Sequence, residues 1–223
     1  MPSLPLHSQL INLFAALLLL LAFAMLTQRR ILSLIRLFAA QGFVLALSTL
    51  VVGYATEQPD LYLSAGVTFA LKVVALPWFL HWLIRKLNVQ WDIEAMINIP
   101  VQMLIGIVLV IFAFNLAAPI SEIAGTITRS TLGIAMASIL LSFLMMITRR
   151  KAVSQVIGFL AMENGLFFAA TSATYGMPMV VELGIAFDVL VAAVLFGVFF
   201  LQLRDAIDSL DVDRLSLLSE DHD

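Results

Sequence analysis

The sequence predicts an all-α polytopic membrane protein with seven transmembrane helices, its N-terminus outside and its C-terminus inside. Three observations carry that prediction. Of the 223 residues, 62% are hydrophobic and 12% are charged, about half the charge of a soluble domain. The apolar residues fall into seven runs, and seven spans of ~20 residues would use ~140 residues, close to the number the composition supplies. The basic residues gather at alternate turns between the runs, the asymmetry that orients membrane proteins.

The same composition excludes several classes. A net charge of −3 offers no basic surface to a phosphate backbone, so no nucleic-acid partner is expected. There is no cysteine, which rules out disulfides, iron–sulfur ligation and thiolate metal sites. The three histidines, His7, His81 and His222, are too far apart in sequence for a paired-histidine haem site. No cofactor or metal is implied, and any redox chemistry belongs to another chain.

The first span runs from about Gln9 to Leu26 and the second from Ile31 to Tyr54. No Lys or Arg precedes the first, and Arg29 and Arg30 follow it. It therefore reads as a retained span with its N-terminus outside, not as a signal peptide. The third span runs from Leu61 to Ile84, with Pro77 inside it as a predicted bend. The fourth runs from Pro100 to Ala118 and the fifth from Thr131 to Ile147. The sixth runs from Ala152 to Tyr175 and the seventh from Pro178 to Leu203. Pro100 and Pro178 stand at helix starts, where a missing N–H costs nothing.

This arrangement puts nine of the twelve basic residues inside: Arg29, Arg30, Arg85, Lys86, Arg149, Arg150, Lys151, Arg204 and Arg214. Only Arg129 lies outside, while Arg36 and Lys72 fall within spans. Arg36 is within about two turns of the inner face and can snorkel. Asn98, Trp78, Trp82 and Trp91 fit an interfacial belt. Gln102 and Asn115 are expected to satisfy helix contacts, and His81 to sit at an interface. The acidic tail after Leu203 carries an Ile207, Leu210, Leu215, Leu217, Leu218 pattern, which reads as a short amphipathic segment on a partner or as a solvated tail.

Two stretches echo one another. Thr27-Gln28-Arg29-Arg30 leads to Ser33 and Phe38-Ala39-Ala40-Gln41-Gly42. Thr148-Arg149-Arg150-Lys151 leads to Ser154 and Phe159-Leu160-Ala161-Met162-Glu163-Asn164-Gly165. One helix later, Ala70-Leu71-Lys72 echoes Ala186-Phe187-Asp188. A parallel repeat of a three-helix unit is one reading, and chance similarity among Leu- and Ala-rich helices is the other. On the first reading residues 1–99 form one unit with its inner loop and 100–130 a connecting helix with an outer loop. Residues 131–203 then form the second unit, and 204–223 the acidic inner tail.

The informative residues are the charges inside apolar spans: Lys72, Glu163, Glu182 and Asp188. A Lys or Asp at a helix centre costs at least ~2.5–3.5 kcal/mol in lipid, so such residues face protein or water. At ~1.5 Å per residue, Glu163, Asp188 and Lys72 lie ~15–18 Å from the ends of their spans. That is near the middle of a hydrocarbon core ~30 Å thick. Glu182 is about one turn inside the outer boundary. Six residues separate it from Asp188, ~240° around the helix, so one helix cannot aim both at one point. An isolated buried carboxylate favours its neutral form, and a lysine beside it restores the charge. A midplane set of carboxylates and one amine is therefore a candidate proton-exchanging set. The alternatives are a structural anchor for Glu163 and a fixed ion pair for Lys72, with Asp188 or with a subunit outside this chain.

Gly158-Phe159-Leu160-Ala161-Met162-Glu163-Asn164-Gly165, Val181-Glu182-Leu183-Gly184-Ile185-Ala186-Phe187-Asp188 and Leu210-Asp211-Val212-Asp213-Arg214-Leu215 together resemble hydrogenase-4 component E. That family comprises membrane subunits of hydrogenase-4 and formate hydrogenlyase-type complexes. Leu71-Lys72-Val73-Val74-Ala75-Leu76-Pro77 resembles its lysine-bearing third span. The last three spans also resemble the K subunit of respiratory complex I and the C subunit of multisubunit cation/proton antiporters.

The resemblance implies that Glu163 corresponds to the first membrane glutamate of those small subunits. It leaves the second role to Glu182 or Asp188. It further implies a multi-pass subunit of a bacterial or archaeal plasma membrane, non-catalytic itself. Its neighbours would be antiporter-like and other small membrane subunits and, through them, a peripheral hydrogenase or similar redox module. Rival expectations are an independent ion or small-solute transporter and a purely structural adaptor. A retinal receptor is disfavoured, because the seventh span has no lysine.

Overall fold

The structure is a computed structural model that describes residues 6–86, 97–124 and 129–174. All of these belong to one compact unit, and it alone is described. The predicted seventh span, with Glu182 and Asp188, lies outside the described residues, as do Trp91 and the acidic tail.

The described residues are all-helical: α1 (Leu6–Thr27), α2 (Ile31–Thr56), α3 (Pro59–Thr68), a π-helical turn (Phe69–Ala75), α4 (Leu76–Lys86), α5 (Ile99–Ala124), α6 (Arg129–Thr148) and α7 (Ala152–Thr174). The third predicted span is α3, the π turn and α4 in succession. Six helical segments among the described residues are long and apolar enough to cross a membrane. Side-chain burial agrees with that environment. Val101, Leu104, Ile107, Val108, Ile111 and Phe112 of α5 are all about half exposed, a surface that lipid or protein can cover and water would not.

Each boundary has a local cause. Glu57 ends α2 in the left-handed region (φ 56°, ψ 30°), its N–H bonding the Gly53 carbonyl. A left-handed residue reverses the chain at once, and Pro59 then starts α3 at a position that needs no N–H. Pro77 falls in the first turn of α4. Its ring and missing N–H oppose an α-helical bond to the residue four earlier. The chain answers with the π turn just before it, in which the Leu76 N–H reaches the Leu71 carbonyl five residues back. The bend predicted at Pro77 is thus a change of hydrogen-bond register. The fourth span runs past its predicted end at Ala118, since α5 continues through Pro119 to Ala124.

The core is built from α1, α2, α6 and α7, with Leu18, Leu45, Phe167 and Phe168 in one cluster. α1 and α6 run parallel: Thr131 at the start of α6 donates to Asn12 of α1 at 3.4 Å, and Arg149 reaches the end of α1. The turns reverse each chain, so α2 and α7 are parallel too. The α2–α3 hairpin packs closely, since a Cβ on Gly53 would stand 2.9 Å from the Leu61 Cβ.

Arg149 is buried, 1% exposed. Its Nη2 donates to the carbonyls of Met25 (3.3 Å) and Leu26 (2.7 Å). These are orphan acceptors at the C-terminus of α1, where positive charge is favoured. Burial pushes the guanidinium below its ordinary value. The basic turn counted above only for orientation therefore holds one residue that ties α6 to α1. Gln102 likewise ties α5 to α6, its Nε2 donating to Thr148 Oγ1 at 2.6 Å. Asn115 does not match the expected helix contact: it is exposed and bonds the Ile111 carbonyl of its own helix.

Candidate functional site

Lys72 and Glu163 occupy the middle of their spans. Lys72 is the central residue of the 27-residue apolar segment Pro59–Arg85, and Glu163 is the central residue of the 23-residue α7. The two are joined. The Lys72 Nζ donates to Glu163 Oε1 at 2.7 Å, and the side chains are 1% and 4% exposed. Neither reaches lipid.

Several features hold the lysine there. Lys72 lies within the π turn, whose extra residue shifts the helix face it presents. Gly42 of α2 lies against its stem: a Cβ on Gly42 would stand 2.9 Å from the Lys72 Cβ. Any larger residue would force α2 and the π turn apart. On the other side, α7 offers two groups one turn apart, Glu163 and Phe167. The Lys72 ammonium sits 5.4 Å from the centroid of the Phe167 ring, within range of a cation–π attraction. One cation therefore meets a carboxylate and an aromatic face on the same helix.

A neutral polar pair adjoins this one. Asn164 Nδ2 donates to Gln41 Oε1 at 3.2 Å, with both residues fully buried. Gln41 Nε2 and Asn164 Oδ1 have no hydrogen-bond partner. One donor and one acceptor thus remain open beside the ion pair.

Of the four sequence-predicted residues, the structure brings Lys72 and Glu163 together, while Glu182 and Asp188 lie outside the described residues. Glu163 is a partner for Lys72 that sequence reasoning did not name. The contributions of Gly42, Phe167 and the Gln41–Asn164 pair were also missed. The one available signal was the spacing of four between Glu163 and Phe167, which puts both on one face of a helix. Among the described residues, no group of three or more His, Asp or Glu side chains could hold a metal ion.

Burying two charges costs several kcal/mol per ion, and their attraction offsets this only when geometry is good. A carboxylate that loses its ammonium must gain a proton or stand as an uncompensated charge in an apolar site.

Comparison with known proteins gives relatives along most of the chain. Uncharacterized protein Rv0085 of Mycobacterium tuberculosis is 33% identical over 209 residues, which cover 93% of this chain and 95% of that protein. The chain belongs to the family of that mycobacterial protein. A more distant relative is hydrogenase-4 component E of Escherichia coli K12, 25% identical over 183 residues, 81% of this chain and 84% of that one. The hydrogenase-4 component E of Shigella flexneri matches to the same extent. This distant homology supports the resemblance to hydrogenase-4 component E read from the motifs. No family model matches the chain, and no solved structure does.

Proposed function

We propose that the chain is a non-catalytic membrane subunit of a hydrogenase-type complex and that the Lys72–Glu163 pair is a proton-exchanging step within it. The observation that carries this is an ion pair at the centre of two apolar spans, sheltered from lipid. Membership of a multi-subunit complex follows from the relationship to hydrogenase-4 component E. In this reading the ammonium moves between two positions. While it rests on Glu163 the carboxylate stays ionised, and when it leaves, a proton takes its place. Asp188 or Glu182 passes the proton onward.

The finer expectations belong to the same proposal. They are a seventh span, an N-out orientation in a bacterial or archaeal plasma membrane, and a place beside antiporter-like subunits, as in the K subunit of complex I. A repeat of the three-helix unit would account for the parallel pairing of α1 with α6 and of α2 with α7.

A second reading has an observation in its favour. The 2.7 Å contact is also what a static clamp between α7 and the hairpin would show, as in a structural adaptor. The test is made on the whole complex in vesicles. Glu163→Gln alone and the double change Lys72→Met with Glu163→Gln are compared for assembly, hydrogen or formate oxidation, and proton movement. The double variant removes both charges of the pair together, so it should assemble. Proton movement per electron should fall while turnover persists. Unchanged proton movement in the assembled double variant would make the pair a clamp.

A further inference from the structure

Among the described residues, buried polar groups lead from the ion pair towards the α2–α3 turn. Along α3, Thr68 and Ser64 precede Lys72 by four and eight residues, one and two turns nearer the α2–α3 turn. Both are fully buried, and neither Thr68 Oγ1 nor Ser64 Oγ has a hydrogen-bond partner. At the turn itself Gln58 Oε1 is also unpaired. Ser48 of α2, 1% exposed, carries a fourth unpaired oxygen in the same half of the hairpin. In the opposite direction the buried neighbours change character. Leu76, Leu80 and Ile84 follow Lys72, and Phe38 of α2 and Leu160 of α7 lie on the same side of the pair.

Buried hydroxyls are expensive when they bond nothing, and native proteins supply protein or ordered water for them. A site with several polar groups in succession is also where internal water is stable, whereas apolar cavities stay dry. Unpaired hydroxyls also occur on α6 and α7, at Ser138, Ser154 and Ser172, but those of α2 and α3 all lie on one side of Lys72. They lead from its amine towards one end of the hairpin and stop there. Thr49 lies on α2 between Gly42 and Gly53, the two points where the hairpin is closest, but its hydroxyl is spent on the Leu45 carbonyl. On the α2–α3 hairpin the open oxygens are therefore those of Gln58, Ser64, Thr68 and Ser48.

We infer that Gln58, Ser64, Thr68 and Ser48 bind a file of water molecules that gives the Lys72–Glu163 pair access to the aqueous phase at the α2–α3 turn, and that α4, on the other side of Lys72, is kept dry by its apolar packing. On the charge count, that turn is the outer face. The inference rests on the reading of the pair as proton-exchanging, and names the route by which the proton arrives or leaves. The ligand is water or hydronium. The half-open Gln41–Asn164 pair offers one more donor and one more acceptor at the inner limit of the file.

The chain has no cysteine, so single thiols can be placed without background. The variants are Ser64→Cys and Thr68→Cys in the file, Leu80→Cys in the apolar side, and Leu63→Cys on the exposed apolar surface of α3. Silver ion, which fits where water fits, is applied to the complex in vesicles, and the thiols it has not taken are then counted after denaturation. Apolar burial keeps a thiol protonated, each unit of rise in its pKa removing about tenfold of the reactive thiolate. The expected result is that Ser64→Cys and Thr68→Cys react about tenfold faster or more than Leu80→Cys and Leu63→Cys. Equal rates at all four positions would overturn the route, as would reaction at Leu80→Cys matching the other two.

If the thiol at 68 prevents folding, Thr68→Val decides. A hydroxyl bonded to water loses that bond, so the thermal midpoint should fall. A hydroxyl that is dry and unpaired is relieved by the change, and a raised midpoint would overturn the inference. Silver access with no loss of proton movement in the Glu163 variants would refute the proton role and leave the water file standing. The reverse pattern would refute the file alone.

Discussion

The Lys72 ammonium and the Glu163 carboxylate stand 2.7 Å apart although 91 residues separate them in sequence. Their union determines what either can do. In an apolar interior each would be costly alone, and each makes the other tolerable. Removing one partner is therefore predicted to cost about 3–5 kcal/mol, the usual effect of leaving an uncompensated buried charge. Removing both, as Lys72→Met with Glu163→Gln, should restore most of that. Thermal unfolding of the four members of this cycle in detergent measures the coupling. Additive losses would mean that the pair is not formed.

This pairing also marks where sequence reasoning reached its limit. Lys72 and Glu163 were each visible, because a charge in a long apolar run is conspicuous, and their depth followed from counting residues. Their partnership was not visible. It depends on α2, the π turn and α7 meeting, and nothing in the local pattern of either helix encodes the other. The helix limits were legible where a basic turn or a proline marks them, as at Ile31, Pro100 and Ala152. The π turn was not, since Pro77 announces a disturbance without saying which form it takes. Arg149 was legible as a charge and not as a cap, because its partners are backbone carbonyls of α1. Asn115 was misjudged for a related reason: a polar residue in an apolar span can satisfy itself on its own helix.

Gly42 is predicted to be intolerant and Gly66 tolerant. An added Cβ at 42 would meet the Lys72 Cβ at 2.9 Å, whereas at 66 it would meet nothing within 4 Å. Gly42→Ala should cost about 1–3 kcal/mol through the separation it forces. Gly66→Ala should gain about 0.5–1 kcal/mol from helix propensity. Paired melting curves check the contrast, and a neutral Gly42→Ala would mean that α2 does not press on the lysine.

Within the basic turn at 149–151, the arginines should separate in their effects. Arg149 is 1% exposed and bonds two carbonyls of α1, while Arg150 is exposed. Arg149→Leu should cost about 1–3 kcal/mol, the price of unsatisfied buried acceptors, and Arg150→Leu should be within about 0.5 kcal/mol of the parent. Arg149→Lys should rescue only part of the loss. Burial already lowers the Arg149 guanidinium, and an amine, which starts lower, is more readily neutralised there. Thermal melts of the three variants make the comparison.

Gln102 and Asn115 are both amides on α5, yet only Gln102 joins two helices. Its Nε2 bonds Thr148 Oγ1, which in turn donates to the Leu144 carbonyl at 2.7 Å. Gln102→Leu removes the donor from a chain of buried bonds, and should cost about 1 kcal/mol and loosen α5 from α6. Gln102 Oε1 has no partner, so part of the loss is offset by removing an acceptor that bonds nothing. Asn115→Leu gives up only a bond to its own helix on an exposed face, and should be neutral or slightly stabilising in a bilayer. Protease protection of the chain at the start of α5, read beside the melting curves, distinguishes local loosening from global loss. Equal effects at the two positions would mean that the amides act through hydropathy alone and that the Gln102–Thr148 bond does not hold α5 in place.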